Sequence, residues 1–129
     1  MSAEQKKSRH IEITAKAVFE ASESDIKNAR YLFAYYIDIT NHGIETVQLI
    51  SRNWVVTDAE QKIQRIQGKG VVGQQPHISP GETFSYNSAV ILETPVGVLE
   101  GAYTFQTNKQ KQFDVAVPII TLAVPNLLH

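Results

Sequence analysis

Apolar and polar residues alternate along most of the chain with the period of two that is typical of half-buried β-strands. Seven segments show this alternation, or a comparable run of β-branched and aromatic residues: 10–19, 31–40, 46–57, 62–67, 83–92, 98–107 and 113–124. Turn residues separate the segments, and no stretch has the period of a helix. The pattern predicts an all-β protein of about seven to nine strands, arranged as an immunoglobulin-like or fibronectin type III-like β-sandwich.

Several positions depart from simple alternation and predict local features. Ile63 and Ile66 fall out of register with each other, which indicates a bulge or bend. A glycine inside a strand, Gly101, indicates a bulge or a close backbone contact, and Pro118 places its strand toward a sheet edge. Trp54, the single tryptophan, is expected at the centre of the core. Pro and Gly at positions 80 and 81 fit a type II turn.

Length and composition limit the possible classes of protein. The 129 residues suit one domain, predicted over residues 10–129 behind a flexible polar tail at residues 1–9. The absence of cysteine excludes disulfides and favours a cytoplasmic location. Neither a signal peptide nor a membrane-spanning segment is expected. A net charge of −1 gives no electrostatic reason to expect nucleic acid as a partner.

A glycine-rich segment contains Gly68-x-Gly70-x-x-Gly73, the spacing of a dinucleotide-binding fingerprint. That fingerprint needs a helix after its last glycine, because the N-terminus of the helix meets the pyrophosphate. Pro76 and Pro80 prevent such a helix here. The segment is therefore interpreted as a connection in which glycine allows unusual backbone angles and close packing.

Anion binding at the same segment stays open as an alternative. Successive backbone N–H groups of a glycine loop can form an anion-binding nest, and Lys69 would add positive charge. Loops on a rigid sheet scaffold are also where recognition of a partner usually lies. The candidate anion-binding or partner-binding residues are Gly68, Lys69, Gly70, Gly73, Gln74, Gln75 and His77.

No catalytic or metal-binding pattern accompanies this segment. The four histidines lack the spacing of a metal site, the acidic residues form no pair, and no Gly-x-Ser-x-Gly elbow occurs. We therefore predict no enzyme, no cofactor and no metal site. The tyrosines are assigned to core or half-core strand positions: Tyr31, Tyr35, Tyr36, Tyr86 and Tyr103.

Several motifs together resemble the ApaG family over nearly the whole chain after residue 9. They are Tyr36-Ile-x-Ile-x-Asn41, Leu49-x-x-Arg52-x-Trp54, Gly68-x-Gly70-Val-Val-Gly73-x-Gln75-Pro76, Ile78-x-Pro80-Gly81-Glu82, Tyr86-x-Ser88, Thr94-Pro95-x-Gly97 and Gly101-x-Tyr103. The resemblance implies a fibronectin type III or immunoglobulin-like sandwich without a known catalytic residue. The domain also occurs in some F-box proteins and in a DNA polymerase delta-interacting protein, where it resembles a protein-interaction module.

In bacteria the resemblance also implies a genetic link to cobalt resistance and magnesium efflux. The function predicted is a non-enzymatic binding module for an unidentified protein partner, with the chain as a monomer or a homodimer. The alternative is a sensor that weakly binds a divalent cation or a phosphate-bearing anion, such as a nucleotide, a dinucleoside polyphosphate or pyrophosphate, at the glycine segment.

Overall fold

The computed structural model describes residues 10–125, so the tail predicted at residues 1–9 and the histidine at position 129 lie outside the described residues. Two short 3₁₀ turns, Ala21–Glu23 and Ile26–Asn28, connect the first two strands. The strands of this part of the chain are β1 (Ile11–Phe19), β2 (Tyr31–Asn41), β3 (Val47–Asp58), β4 (Ile63–Lys69), β5 (His77–Ile78), β6 (Thr83–Leu92), β7 (Val96–Thr107) and β8 (Gln112–Ala123). The count of eight confirms the prediction of seven to nine strands.

The strands form two antiparallel sheets that face each other across one apolar core. The first sheet has the order β1-β2-β6, and the second has the order β4-β3-β7-β8 with β5 paired beside β3. This arrangement confirms the predicted all-β sandwich. The narrower likeness to immunoglobulin and fibronectin type III domains stays a prediction.

Trp54 lies at the centre of the core, as predicted, and is fully buried. Its ring centroid is 5.7 Å from the ring centroid of Tyr35 in the first sheet and 5.7 Å from that of Tyr103 in the second. The core prediction for Tyr36 is wrong, because Tyr36 is 39% exposed and lies under the Lys16 ammonium. Adjacent strand residues point to opposite faces, and Tyr35 takes the inward position.

Two of the predicted local features are confirmed by the backbone. The Glu82 amide donates to the Ser79 carbonyl at 2.9 Å, and Gly81 has φ = 85°, as a type II turn requires. At Gly101 a Cβ atom would lie 2.6 Å from a ring carbon of Trp54, and the pairing register shifts beside it. Glycine is therefore required there for close packing.

The bulge expected from Ile63 and Ile66 is wrong, since β3 and β4 pair without a register shift. The two isoleucines fall on opposite faces instead: Ile63 is 54% exposed, and Ile66 packs against the core. Pro118 lies in an edge strand, as predicted. Pro118 and Ile119 together face the single residue Glu100, so a bulge accommodates the proline and β8 continues beyond it.

The two lateral sides of the sandwich differ. On one side β1 packs alongside β8. On the other side the edges of β4 and β6 make no backbone pairing within residues 10–125. Side chains link these edges: the Gln64 amide donates to the Ile91 carbonyl at 3.3 Å, and Lys62 pairs with Glu93 at 2.6 Å. We call this second side, bounded by β4 and β6, the open side.

Candidate functional site

The glycine segment folds as a tight hairpin at the end of β4. The Val71 amide donates to the Gln74 carbonyl at 2.8 Å, and the Gln74 amide donates back to the Val71 carbonyl at 2.9 Å. Val72 and Gly73 between them have φ values of 44° and 78°, the signature of a type I′ turn. The chain then continues to β5 without a helix, which confirms that the dinucleotide fingerprint lacks its helical half. We call residues 70–74 the glycine hairpin.

Most amides of the glycine hairpin are already engaged. The Gly70 amide donates to the Ile50 carbonyl at 2.8 Å, in addition to the two bonds between Val71 and Gln74. At Gly70 a Cβ atom would lie 1.9 Å from the Gln74 carbonyl oxygen, so this glycine is required by the turn itself. An anion held at this place would consequently depend on side-chain donors around the hairpin.

The other candidate residues lie in two places: some attach the chain after the hairpin to β3, and others line a neighbouring cleft. The Gln75 carbonyl accepts the Gln48 amide at 3.1 Å, and His77 pairs with the same β3 residue. These contacts attach the chain after the hairpin to β3. Lys69 and Gly73 instead line a cleft on the open side.

This cleft has a volume of about 290 Å³ and opens between the two sheets. Strands β2 and β6 form one wall, while β3, the end of β4 and the glycine hairpin form the other. Its lining residues are Tyr35, Arg52, Lys69, Val71, Val72, Gly73, Tyr86 and Ser88. We call it the Arg52 cleft.

Arg52 is half-buried in β3 and is held in place by backbone carbonyls. Its Nη1 atom donates to the Gly70 carbonyl at 2.7 Å and to the Lys69 carbonyl at 3.2 Å. Gly68 leaves room for the guanidinium, since a Cβ atom there would lie 3.1 Å from both terminal nitrogens. Within residues 10–125 no carboxylate lies within 4.0 Å of Arg52.

Phenol hydroxyls lie between the cleft and the core. Tyr86 and Tyr103 share a short hydroxyl–hydroxyl hydrogen bond. Burial raises the pKa of Tyr86 to about 12, while the charge of Arg52 opposes this rise; burial also raises the pKa of Tyr103. The Trp54 indole N–H makes no hydrogen bond within the described part of the chain, although it is close enough to the Tyr86 hydroxyl to oppose the rise in its pKa.

Among the described residues, those that line this cleft include no carboxylate and no imidazole. Among residues 10–125 no three His, Asp or Glu side chains come close enough to hold a metal ion. Glu12 on β1 and His42, the residue after β2, form an ion pair at 2.9 Å, and both side chains are exposed. No helix in the described residues is long and apolar enough to cross a membrane.

Sequence reasoning placed the glycine hairpin at the site but missed the side chains that line the cleft. The missed residues are Tyr35, Arg52, Tyr86 and Ser88. The alternation in β3 did indicate an inward position for Arg52. Arg52 lies two residues before the buried Trp54, and residues two apart in a strand point to the same face. A charged side chain on the core-facing parity of a strand is uncommon and indicates either a buried partner or a ligand.

Comparison with known proteins relates this chain to one family. The model of the ApaG domain matches residues 21–107. Proteins named ApaG from Chromobacterium violaceum and Aromatoleum aromaticum are 44% and 46% identical to this chain, each over 92% of it and 94% of their own length. A crystal structure described as an ApaA protein from Bordetella pertussis superimposes with a TM-score of 0.87 at 39% identity, covering 90% of this chain and 94% of that one.

Proposed function

This chain belongs to the ApaG family, and we propose that it is a non-enzymatic binding module that recognises a protein partner through its open side. The observation that carries the proposal is the Arg52 cleft, a cavity of about 290 Å³ on the side where the edges of β4 and β6 pair with no other strand of residues 10–125. The exposed tip of the glycine hairpin, Val72, lies at its rim with 55% of its surface exposed.

The edge of β6 supports a protein as the partner. Natural sheets protect their edges with charged residues, proline or bulges, since an open edge can pair with another strand. Strand β6 (Thr83–Leu92) contains no charged residue and no proline over its ten residues, and its pairing with β2 has no register shift. Such an edge can accept an extended segment of a partner by strand addition. A second copy of this chain is the homodimer form of the same proposal.

The chemistry of the cleft favours binding over catalysis. Its lining offers hydroxyl, ammonium and guanidinium donors and contains no carboxylate or imidazole, the groups that most often act as general bases near neutral pH. The proposal therefore assigns the cleft to recognition alone.

A photo-crosslinking amino acid incorporated in living cells tests the proposal. Placed at Val72 on the open side, it should yield a discrete crosslinked species. The matched control is Ile119, which is 67% exposed on β8, away from the open side. Equal crosslinking at both positions, or none at Val72, would reject the open side as the recognition surface. A product of twice the chain mass would assign the partner as a second copy.

A phosphate-sensing role is the second candidate function. Arg52 favours it over a cation-binding role, because no carboxylate of residues 10–125 lies within 4.0 Å of its guanidinium. The metal link that the family resemblance implies would then act through the partner or the bound anion. A deletion strain carrying Arg52→Gln tests this: it should be as sensitive to cobalt as the strain without the gene. If the variant complements the deletion fully, the cobalt phenotype does not depend on the cleft.

A further inference from the structure

We infer that the Arg52 cleft is a site for a phosphate-type oxyanion, held by the Arg52 guanidinium and by neutral hydroxyl donors. The inference rests on the proposed function, because it names a ligand class for the same open side. It differs from a glycine-nest site, since the amides of Gly70, Val71 and Gln74 already donate to backbone carbonyls.

The charge of Arg52 is the first reason. Both of its hydrogen bonds use Nη1, and they end on uncharged carbonyl groups of Lys69 and Gly70. The two ion pairs of residues 10–125 involve other side chains. For this half-buried cation, the two carbonyl contacts replace only part of the lost hydration and do not neutralise the charge. The N–H groups on Nε and Nη2 form a planar fork that suits two oxygens of one anion.

The hydroxyl groups of the cleft are the second reason. Tyr86 is protonated at neutral pH, as any phenol is, and burial raises its pKa further, to about 12. When the Tyr103 hydroxyl donates to Tyr86, the Tyr86 hydrogen is free to donate to a ligand. Tyr35 and Ser88 add two more hydroxyls to the lining. The set is therefore rich in donors and contains no carboxylate that would repel an anion.

The buried indole of Trp54 lies behind Tyr86, one of the lining residues of the cleft. Its N–H is fully buried and has no hydrogen-bond partner in the described part of the chain, which is uncommon in a packed interior. It lies beside the Tyr86 hydroxyl, which belongs to a lining residue of the cleft, whereas Trp54 itself does not line it. An anion bound at Tyr86 would therefore change the surroundings of the indole N–H without contacting it.

The size of the cleft limits what can enter it. A volume of about 290 Å³ is at the lower end of the range for ligand pockets, roughly 300–1,000 Å³. The cleft therefore encloses a phosphate or pyrophosphate group, while the base of a nucleotide stays outside. A carboxylate has two oxygens and uses fewer donors than this lining provides. We expect pyrophosphate and ATP to bind alike, and acetate and adenosine not to bind.

Calorimetric titration of the full chain at low ionic strength tests the site, with pyrophosphate, ATP, adenosine and acetate as probes. Arg52→Gln should weaken pyrophosphate binding at least about tenfold, as expected for loss of a charge-assisted contact. Lys69→Ala should weaken it less than about threefold, because the Lys69 side chain is exposed and solvent screens its charge, whereas Arg52 is half-buried. Arg65→Ala is the matched control, since it removes the same charge from an exposed position on β4 and should leave binding unchanged.

Ser88→Val is a second variant that leaves Arg52 in place. It fills the cleft with two methyl groups and should weaken pyrophosphate binding at least as much as Arg52→Gln. Loss of binding in Lys69→Ala alone would move the site to the glycine hairpin. Undetectable binding at millimolar pyrophosphate, or equal weakening by Arg65→Ala, would overturn the inference. If crosslinking at Val72 persists in that case, the protein-binding proposal stands without the anion.

Discussion

Alkaline pH should destabilise this protein steeply through the phenols behind the Arg52 cleft. Burial raises the pKa of Tyr86 from 10.0 to about 12 in the folded chain, whereas an unfolded chain titrates near the ordinary value. Between these values the folded state holds a proton that the unfolded state has released. The stability from the neutral phenol is complete below pH 10 and is lost as the pH rises toward 12.

The size of the loss follows from the shift in pKa. Two pKa units at about 1.4 kcal/mol each give roughly 3 kcal/mol from Tyr86. Tyr103 adds to the loss, because burial raises its pKa as well. Since native domains are stable by only about 5–15 kcal/mol, this change is large enough to unfold a protein of low stability.

Urea unfolding followed by Trp54 fluorescence, repeated from pH 8 to pH 11.5, measures the effect. Tyr86→Phe should lower the stability at pH 8 by about 1 kcal/mol, through its lost hydrogen bond, and should flatten the pH dependence. Tyr36→Phe, at an exposed position, should leave the slope unchanged. The reasoning is refuted if Tyr86→Phe keeps the full slope. It is also refuted if all five tyrosines ionise near pH 10 while the chain stays folded.

Three further predictions concern the scaffold and use the same urea assay. Gly101→Ala should cost about 1–3 kcal/mol, because its Cβ would lie 2.6 Å from Trp54; an unchanged midpoint would contradict the packing. Gly73→Ala meets no atom within 4 Å but has φ = 78°, so a loss of about 1–2 kcal/mol is expected from the backbone alone. Asn41→Ala removes three hydrogen bonds from a buried side chain and should cost about 3 kcal/mol, against almost nothing for the exposed control Asn87→Ala.

The strands and turns could be read from the sequence because local chemistry determines them. Alternation predicted β2 and its buried face, and the type II turn followed from Pro80 and Gly81. At Gly101 a bulge or a close backbone contact was predicted, and a Cβ atom there would lie 2.7 Å from the Asn53 carbonyl oxygen; the neighbouring Trp54 ring was not foreseen. Each of these features depends on a few adjacent residues or on one strand pairing.

The Arg52 cleft could not be predicted because it depends on pairings between distant segments. Val47 and Leu49 are buried at odd positions of β3, whereas Trp54 and Val56 are buried at even positions, because a register shift lies between them. Alternation counted from Val47 places Arg52 on the outer face, whereas alternation counted from Trp54 places it on the inner face. Whether β4 and β6 meet, pair or leave an open side depends on the order of strands in both sheets, which local patterns do not specify.

The indole N–H resonance of Trp54 gives the most direct test of the claim that the open side is a binding site. The chain has one tryptophan, so this resonance is unique in a proton–nitrogen correlation spectrum. Addition of pyrophosphate should shift it saturably, together with the amides of Val72 and Gly73, and the shift should vanish in Arg52→Gln. An indole resonance that stays fixed while amides on the outer faces of the sheets move would contradict the account.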